Sequence, residues 1–167
     1  MAESQIQNFN HLKIHSQFSI CEGAIKIDDL KEISKEKKIR SLALCDTSNL
    51  CGALEFAEKI SKVGTQPIIG TQINFKLDDT IGLLPLFALN EIGYKRIIEL
   101  SSLSYLNNDG VSDPHLNFEE LLKNNEGVAI FSGTINGLVG QLFNKGKFSE
   151  IEKLYSKLKQ KYGDKFY

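Results

Sequence analysis

The chain has 167 residues, of which 41% are hydrophobic and 25% are charged, and its formal net charge is −1 at pH 7. This composition is typical of one globular domain with its own core, and the near balance of charges gives no general attraction to nucleic acid or anionic membranes. No apolar stretch approaches the ~20 residues that a membrane span needs, and residues 1–8 form a polar lead without the apolar segment of a secretory signal.

The cysteines indicate the redox state of the chain. Cys21, Cys45 and Cys51 are an odd number and show no C-x-x-C spacing. We therefore predict reduced thiols that pack as small hydrophobic side chains, without a disulfide framework or a zinc knuckle. Reduced thiols favour a cytoplasmic protein.

The first predicted elements alternate between strands and helices. An alternating stretch predicts a strand at His11–Ile14, and a continuously apolar stretch predicts a strand buried on both faces at Ser41–Cys45. Between them Asp28 is placed to cap a helix with Leu30 and Ile33 on its inner face. The basic run Lys35–Arg40 falls at the end of this helix, where cations suit the helix dipole, so we interpret it as a solvated helix end and not as a nucleic-acid patch.

The middle of the chain continues the alternation. A second helix is predicted from about Leu50, with Leu54, Ala57 and Ile60 facing inward and Gly64 as its stop. Two strands are predicted next, at Pro67–Lys76 and Ile81–Asn90.

The last third of the chain predicts helices around one more buried strand. Asn90 is placed to cap a helix, which a polar loop follows at Leu106–His115. Asn117 opens the next helix with capping-box spacing, and Ser149 opens the last helix in the same way. Between these two helices, Gly127–Ser132 predicts a strand.

The order of the elements predicts the fold class. Strands and helices take turns along most of the chain, which favours an α/β fold with a mostly parallel sheet. The chain stops at "YGDKFY", where an apolar strand would be due after the last helix. We therefore expect the sequence to be incomplete at its C-terminus.

The ends of the predicted strands hold the candidate chemistry, since parallel α/β sheets collect their sites at the carboxyl ends of the strands. These residues are mostly hydroxyls and amides: His15, Ser16, Asp46, Thr47, Ser48, Asn49, Thr71, Gln72, Ser132, Gly133 and Thr134. One histidine and one carboxylate are too few for a multinuclear metal hydrolase. Ser16 beside His15 does not suggest a nucleophile and its base, because adjacent strand residues point to opposite faces.

Several blocks of the sequence, taken in order, resemble one known family. The blocks are "FNHLKIHSQFSICEGAIKIDDL", "LALCDTSNLCGALEFAEKI", "PIIGTQINF", "LFALNEIGYKRIIELSSLSYL" and "GVAIFSGTINGLVGQLF". They are similar to the PHP (polymerase and histidinol phosphatase) domain at the N-terminus of bacterial DNA polymerase III alpha subunits. The resemblance implies a distorted β/α barrel over residues 9–167, of which this chain supplies the N-terminal portion and lacks the later strands.

The resemblance also places the family's metal-ligand positions in this chain. They fall on Lys13, His15, Glu22, Asp46, Thr47, Gln72 and Thr134. Lys13 and Thr47 replace histidines, Gln72 replaces a carboxylate and Thr134 replaces a thiolate. The resemblance therefore implies a vestigial site with no bound metal and no catalytic residue, in which His15, Glu22 and Asp46 are the weak remaining candidates.

Lys13 brings a positive charge to a position where the family holds a metal ion. Like charges repel strongly in a shielded pocket, so the ammonium group disfavours a dication. We expect Lys13 to pair with Asp46 or Glu22 and to stabilise the domain.

The resemblance implies a structural role within a replicative polymerase. In the proteobacterial form of the subunit this domain supports the polymerase core and docks the proofreading exonuclease subunit. The implied parent chain is a DNA-directed DNA polymerase that uses Mg²⁺ in other domains and meets DNA through those domains. The implied partners of this segment are the rest of that chain and the exonuclease, and it needs no cofactor and no membrane.

Two other functions remain open on the sequence. One is an independent metal-dependent phosphoesterase of the same superfamily, which would bind Zn²⁺, Mn²⁺ or Fe. The other is a protein-interaction module unrelated to replication, which leaves the ordered blocks unexplained.

Overall fold

The computed structural model describes residues 9–108 and 110–167. The strands are β1 (His11–Ile14), β2 (Ser41–Thr47), β3 (Gln66–Leu77), β4 (Thr80–Ala88), β5 (His115–Asn117) and β6 (Val128–Ile130). The helices are α1 (Ile27–Lys37), α2 (Ala53–Ser61), α3 (Glu91–Leu106), α4 (Phe118–Lys123), α5 (Leu138–Asn144) and α6 (Phe148–Tyr162), followed by a 3₁₀ turn at Gly163–Lys165. The polar lead predicted at residues 1–8 lies outside the described residues.

The strands form one open sheet in the order β1-β2-β3-β4-β6, and β5 also pairs with β3. The pairs β1/β2, β2/β3 and β3/β5 are parallel, whereas β4 is antiparallel to both β3 and β6. The α/β class is confirmed, and the sheet is open. The antiparallel β4 was not predicted, because alternation along the chain does not reveal the two-residue turn that joins β3 to β4.

The long strand β3 organises the sheet. Its first half pairs with β2 and its second half pairs with β5 along the same edge, while β4 occupies the other edge. The register places Gln72 beside Thr47 on one side and opposite Pro85 on the other. The carboxyl end of β2 therefore lies next to the middle of β3, and this is where the candidate site forms.

Apolar side chains of alternate strand residues build cores on the two faces of the sheet. Leu42 and Leu44 of β2 pack with α1 and α2 in one cluster, and a larger cluster joins β3 and β4 to α3, α5 and α6. Ala43 and Cys45 point to the opposite face, because strand residues alternate. There they form a smaller cluster with Phe87 of β4 and Ala129 of β6. Helices therefore cover one face, and the opposite face has the smaller core.

The first two helices bury only part of the faces that were predicted. The N-cap of α1 is Lys26 and not Asp28, Ile33 is 39% exposed, and Ser34 is buried in its place. The helix α2 begins at Ala53, three residues later than predicted, and Leu54 is 72% exposed. Leu30 of α1 and Ile60 of α2 are buried as predicted, so each predicted face is confirmed in part.

The predicted helix caps have mixed outcomes. Asn90 caps α3 as predicted, since its side-chain oxygen accepts a 2.9 Å hydrogen bond from the backbone N–H of Gly93. Asn117 is the N-cap residue of α4, but its side chain makes no capping bond. Ser149 was wrongly placed, because α6 begins at Phe148 with Lys147 as its N-cap.

Some elements were not predicted from sequence. The three residues of β5 take in His115, which was placed in a loop, and α5 follows the glycine-rich turn after β6. At the end of the chain, Tyr167 pairs with β6: its N–H donates to the carbonyl of Ile130 at 2.9 Å, and its carbonyl accepts from the N–H of Ser132 at 2.8 Å. None of the helices in the described residues is both long and apolar enough to span a bilayer.

Candidate functional site

Five of the seven predicted site residues line one pocket of about 310 Å³ at the carboxyl ends of β1 and β2. They are Lys13, His15, Glu22, Gln72 and Thr134. The other two, Asp46 and Thr47, end strand β2 directly behind the pocket. The structure therefore brings the predicted positions together, although they are far apart in sequence.

Asp46 anchors the loop that follows β1. It is 1% exposed and its carboxylate accepts three hydrogen bonds: from the N–H of Ser16 at 2.6 Å, from Ser16 Oγ at 2.7 Å and from Ser19 Oγ at 2.6 Å. Three donors satisfy most of the capacity of a buried carboxylate. Asp46 is thus a structural residue whose oxygens are already engaged and do not face the pocket.

A chain of hydrogen bonds joins the remaining positions. Gln72 Nε2 donates to Thr47 Oγ1 at 2.7 Å, and the Thr47 hydroxyl donates to Glu22 Oε2. Two residues next in sequence to these hydrogen-bonded side chains have left-handed backbone conformations: Cys21 with φ of 65° and Ser48 with φ of 56°. Such conformations are costly for residues other than glycine and cluster at sites that require a fixed geometry.

His15 lies beside Glu22 without a hydrogen bond to it. The Nδ1 atom of His15 is 4.0 Å from Glu22 Oε2, and this nitrogen is buried without a hydrogen-bond partner. The neighbouring Ser16 points to the other side and bonds to Asp46. The two adjacent side chains therefore point in different directions, as the alternation along a strand predicts.

Lys13 does not make the predicted ion pair. It lines the pocket together with Glu22, but in the described part of the chain no carboxylate lies within 4.0 Å of its ammonium group. Asp46 is bound by serine donors instead, and Glu22 is bound by Thr47. The expected pairing was wrong because both carboxylates have closer neutral donors.

The donor set does not fit a metal ion. Gln72 donates a hydrogen bond to Thr47, and Thr47 donates one to Glu22, so these groups offer donors and not metal ligands. Lys13 adds a cation to the pocket. The carboxylate of Asp46 is bonded to Ser16 and Ser19. His15 and Glu22 are what remains, whereas structural and catalytic zinc sites use three or four protein ligands. In the described residues no group of three or more His, Cys, Asp or Glu side chains is arranged to hold a metal.

The cysteines divide between core and surface. Cys45 is buried behind the site, and this burial raises the pKa of its thiol to about 12, so the thiol stays protonated. Cys21 and Cys51 are exposed, so the prediction that the cysteines are core residues was wrong for these two. No disulfide joins the cysteines.

Sequence reasoning missed the residues that shape the site. Ser19 was not singled out, although it supplies one of the donors to Asp46. Gly23 was a sequence signal for this tightly packed loop. The structure shows why a glycine is needed there, since a Cβ atom at position 23 would lie 2.1 Å from the carbonyl oxygen of Ser16. Leu83 and Pro85 of β4 form the apolar wall of the pocket, which could not be foreseen without the β3/β4 pairing.

The fold and the pocket define an α/β domain whose strand ends surround a polar site. The family model described as "PHP domain" matches residues 11–167. This chain belongs to the PHP domain family, and the resemblance noted in its sequence is confirmed.

Curated relatives carry the expected name. The "DNA polymerase III subunit alpha" of Caulobacter vibrioides is 33% identical over 180 residues, which cover 100% of this chain and 15% of the relative. The proteins of the same name from Rickettsia felis and Borreliella burgdorferi are 35% and 34% identical, and cover 95% of this chain with 13% and 15% of their own lengths. This chain therefore spans about one seventh of the length of these relatives.

Among solved structures, an amidohydrolase from Chromobacterium violaceum is similar with a TM-score of 0.44 and 12% identity. The similarity covers 88% of this chain and 54% of that protein.

Proposed function

We propose that this chain is the N-terminal PHP domain of a DNA polymerase III alpha subunit and that it acts as a structural scaffold for the polymerase. The observation that carries the proposal is the similarity over the whole chain to proteins of that name, which are about seven times longer. The scaffold role follows from the site, because its bonds hold the loop after β1 to β2 and leave an incomplete metal-ligand set.

In this proposal the chemistry of nucleotidyl transfer belongs to other parts of the parent chain. Those parts would use Mg²⁺ and would contact DNA, and the protein would work in the cytoplasm. The phosphoesterase alternative receives no support from the pocket, since a metal-dependent hydrolase needs several anionic or imidazole ligands around its metal.

The size of the native protein tests the polymerase assignment. Antibodies raised against this segment should detect, in source cells, one species several times heavier than 18.7 kDa. A control lysate from a heterologous host that expresses only this segment should show the 18.7 kDa band. A native band at that lower mass would overturn the assignment to a polymerase.

We also propose that this domain docks the proofreading exonuclease subunit. Chemical crosslinking of the intact complex with a lysine-reactive reagent, followed by mass spectrometry, tests this directly. Lysines of this segment should crosslink to the exonuclease, and a sample without the exonuclease serves as the control. Crosslinks from the exonuclease to other domains alone would overturn the docking role while leaving the polymerase assignment intact.

A further inference from the structure

The pocket contains a buried acceptor with no partner. Gln72 is 2% exposed and lines the pocket, and its Oε1 atom makes no hydrogen bond with any described residue. A buried carbonyl oxygen without a donor costs free energy comparable to a lost hydrogen bond. This acceptor therefore favours a ligand that brings a donor into the pocket.

The neighbouring bonds fix the orientation of this amide. A carboxylate only accepts hydrogen bonds, so the single proton of the Thr47 hydroxyl goes to Glu22. Thr47 Oγ1 must then accept from Gln72, which turns the NH₂ group of the amide toward Thr47 at 2.7 Å. The Oε1 atom is then the half of the amide that is left without a partner among the described residues.

The two opposite charges in the pocket are not paired with each other. Lys13 and Glu22 both line it, yet the structure records no ion pair between them within 4.0 Å. Glu22 uses one oxygen for Thr47 and keeps acceptor capacity for a second donor. A ligand that carries both charges can therefore meet the carboxylate with one end and the ammonium group with the other.

We propose that this pocket binds a small zwitterion, whose primary ammonium group donates to Gln72 Oε1 and Glu22 and whose anionic group meets the Lys13 ammonium. The volume of about 310 Å³ suits a ligand of the size of a simple amino acid. Three features of the pocket agree with this ligand: a fixed buried acceptor, a carboxylate with spare capacity and a cation without a partner. The proposal is independent of the polymerase assignment.

Calorimetric titration of the native-length polypeptide with glycine, β-alanine and 4-aminobutyrate tests the proposal. These probes carry the same two charges at increasing separation. At least one should bind, and trimethylglycine, which lacks N–H donors, should bind at least tenfold more weakly. Binding of none of the three, or equal binding of trimethylglycine, would overturn the proposal and leave water as the occupant of the pocket.

Two variants locate the binding to this pocket. Lys13→Met and Gln72→Leu should each weaken binding by about tenfold or more, the size expected for a hydrogen bond or contact with a charged group. Lys62→Met removes the same charge from an exposed residue that does not line the pocket, and should leave binding unchanged. Lys13 is exposed, so its variant should fold even if Gln72→Leu does not, and unchanged binding by Lys13→Met would overturn the proposal.

Discussion

At the scale of single residues, Asp46 was predicted at a metal-ligand position, and the structure gives it a structural role. Its carboxylate is buried and receives three donors from Ser16 and Ser19. Hydrogen bonds to a charged acceptor are stronger than those between neutral groups. This carboxylate therefore holds the loop after β1 against the end of β2.

Asp46→Ala should lower the free energy of unfolding by about 3 kcal/mol. The change leaves buried donors of Ser16 and Ser19 without an acceptor, and each such group costs about 1–3 kcal/mol. Urea denaturation followed by circular dichroism measures the effect. Asp164→Ala, the same change at a fully exposed carboxylate, is the control and should stay within about 0.5 kcal/mol. Equal effects of the two changes would contradict the structural role of Asp46.

Lys13→Ala should leave the free energy of unfolding within about 0.5 kcal/mol of the unmodified chain. The sequence led us to expect destabilisation, but Lys13 is exposed and has no ion-pair partner in the described residues. Thermal unfolding by calorimetry measures it. A loss of several degrees in Tm would show that Lys13 does pair with a carboxylate in solution.

At the scale of elements, the periodicity of apolar residues located the helices better than it located their buried faces. In α1 the polar Ser34 is buried while Ile33 is exposed, and in α2 Leu54 is exposed while Phe56 is buried. The sheet decides which face is covered, because most of the stability of a short helix comes from tertiary packing and not from its own pattern. Single-sequence patterns do not contain that information.

For the candidate site, the sequence predicted which residues come together but not the contacts that they make. The resemblance identified positions that the structure does gather around one pocket. It could not predict the bonds between them, since Asp46 meets Ser16 across 30 residues and Thr47 meets Glu22 across 25. Those contacts depend on the register of β1, β2 and β3, which is a property of the assembled sheet.

Arg96→Met should lower the free energy of unfolding by about 3 kcal/mol. The buried guanidinium group of Arg96 ties α3 to α4: it donates to the carbonyl of Glu120 at 2.8 Å and to that of Asn124 at 3.3 Å, and pairs with Glu99 at 2.7 Å. Methionine fills similar space but supplies no donor, so these carbonyls lose their bonds. Chemical denaturation of the variant and the unmodified chain measures the difference in their free energies of unfolding.

Two matched changes separate the charge of Arg96 from its shape. Lys95→Met removes an exposed cation one residue earlier, whose ion pair with Glu91 lies at the surface, and should cost less than about 1 kcal/mol. Arg96→Lys keeps the charge but lacks the planar fork of donors, so it should remain clearly destabilising. Full stability of Arg96→Lys would show that charge alone matters at this position.

At the scale of the whole molecule, the sheet separates a helix-covered face from the face that carries the site. The pocket adjoins a second, more apolar groove on that face, which Leu12, Phe87, Phe131 and Tyr167 help to line. Phe131 stacks on Tyr167 with ring centroids 5.1 Å apart, so the last residue of the chain packs against the edge strand. The sheet therefore places the seven positions that the resemblance predicted within or behind one cavity.

That positioning predicts that metal binding can be restored by side-chain changes alone. A variant with Lys13→His, Thr47→His, Gln72→Glu and Thr134→Cys regains the ligand types that the family resemblance implies, alongside His15 and Glu22. Excess Zn²⁺ should raise its Tm by about 5–10 °C, since a metal at 100 times its Kd adds about 2.7 kcal/mol to the stability of a folded protein. The unmodified chain should not respond, because its donor set is incomplete.

Differential scanning calorimetry of the variant and the unmodified chain, with and without Zn²⁺, measures these changes in Tm. Adding His15→Ala to the variant should reduce its rise in Tm, because the change removes one of the two original ligands. A similar Zn²⁺ shift in the unmodified chain would show that the site still holds metal, which would contradict its vestigial character. No shift in the variant would show that these positions, although gathered around one pocket, do not have the geometry of a metal site. The first outcome is a rise in Tm of the unmodified chain and the second is no rise in Tm of the variant. The experiment therefore distinguishes an error about the ligands of the unmodified chain from an error about the geometry of the site.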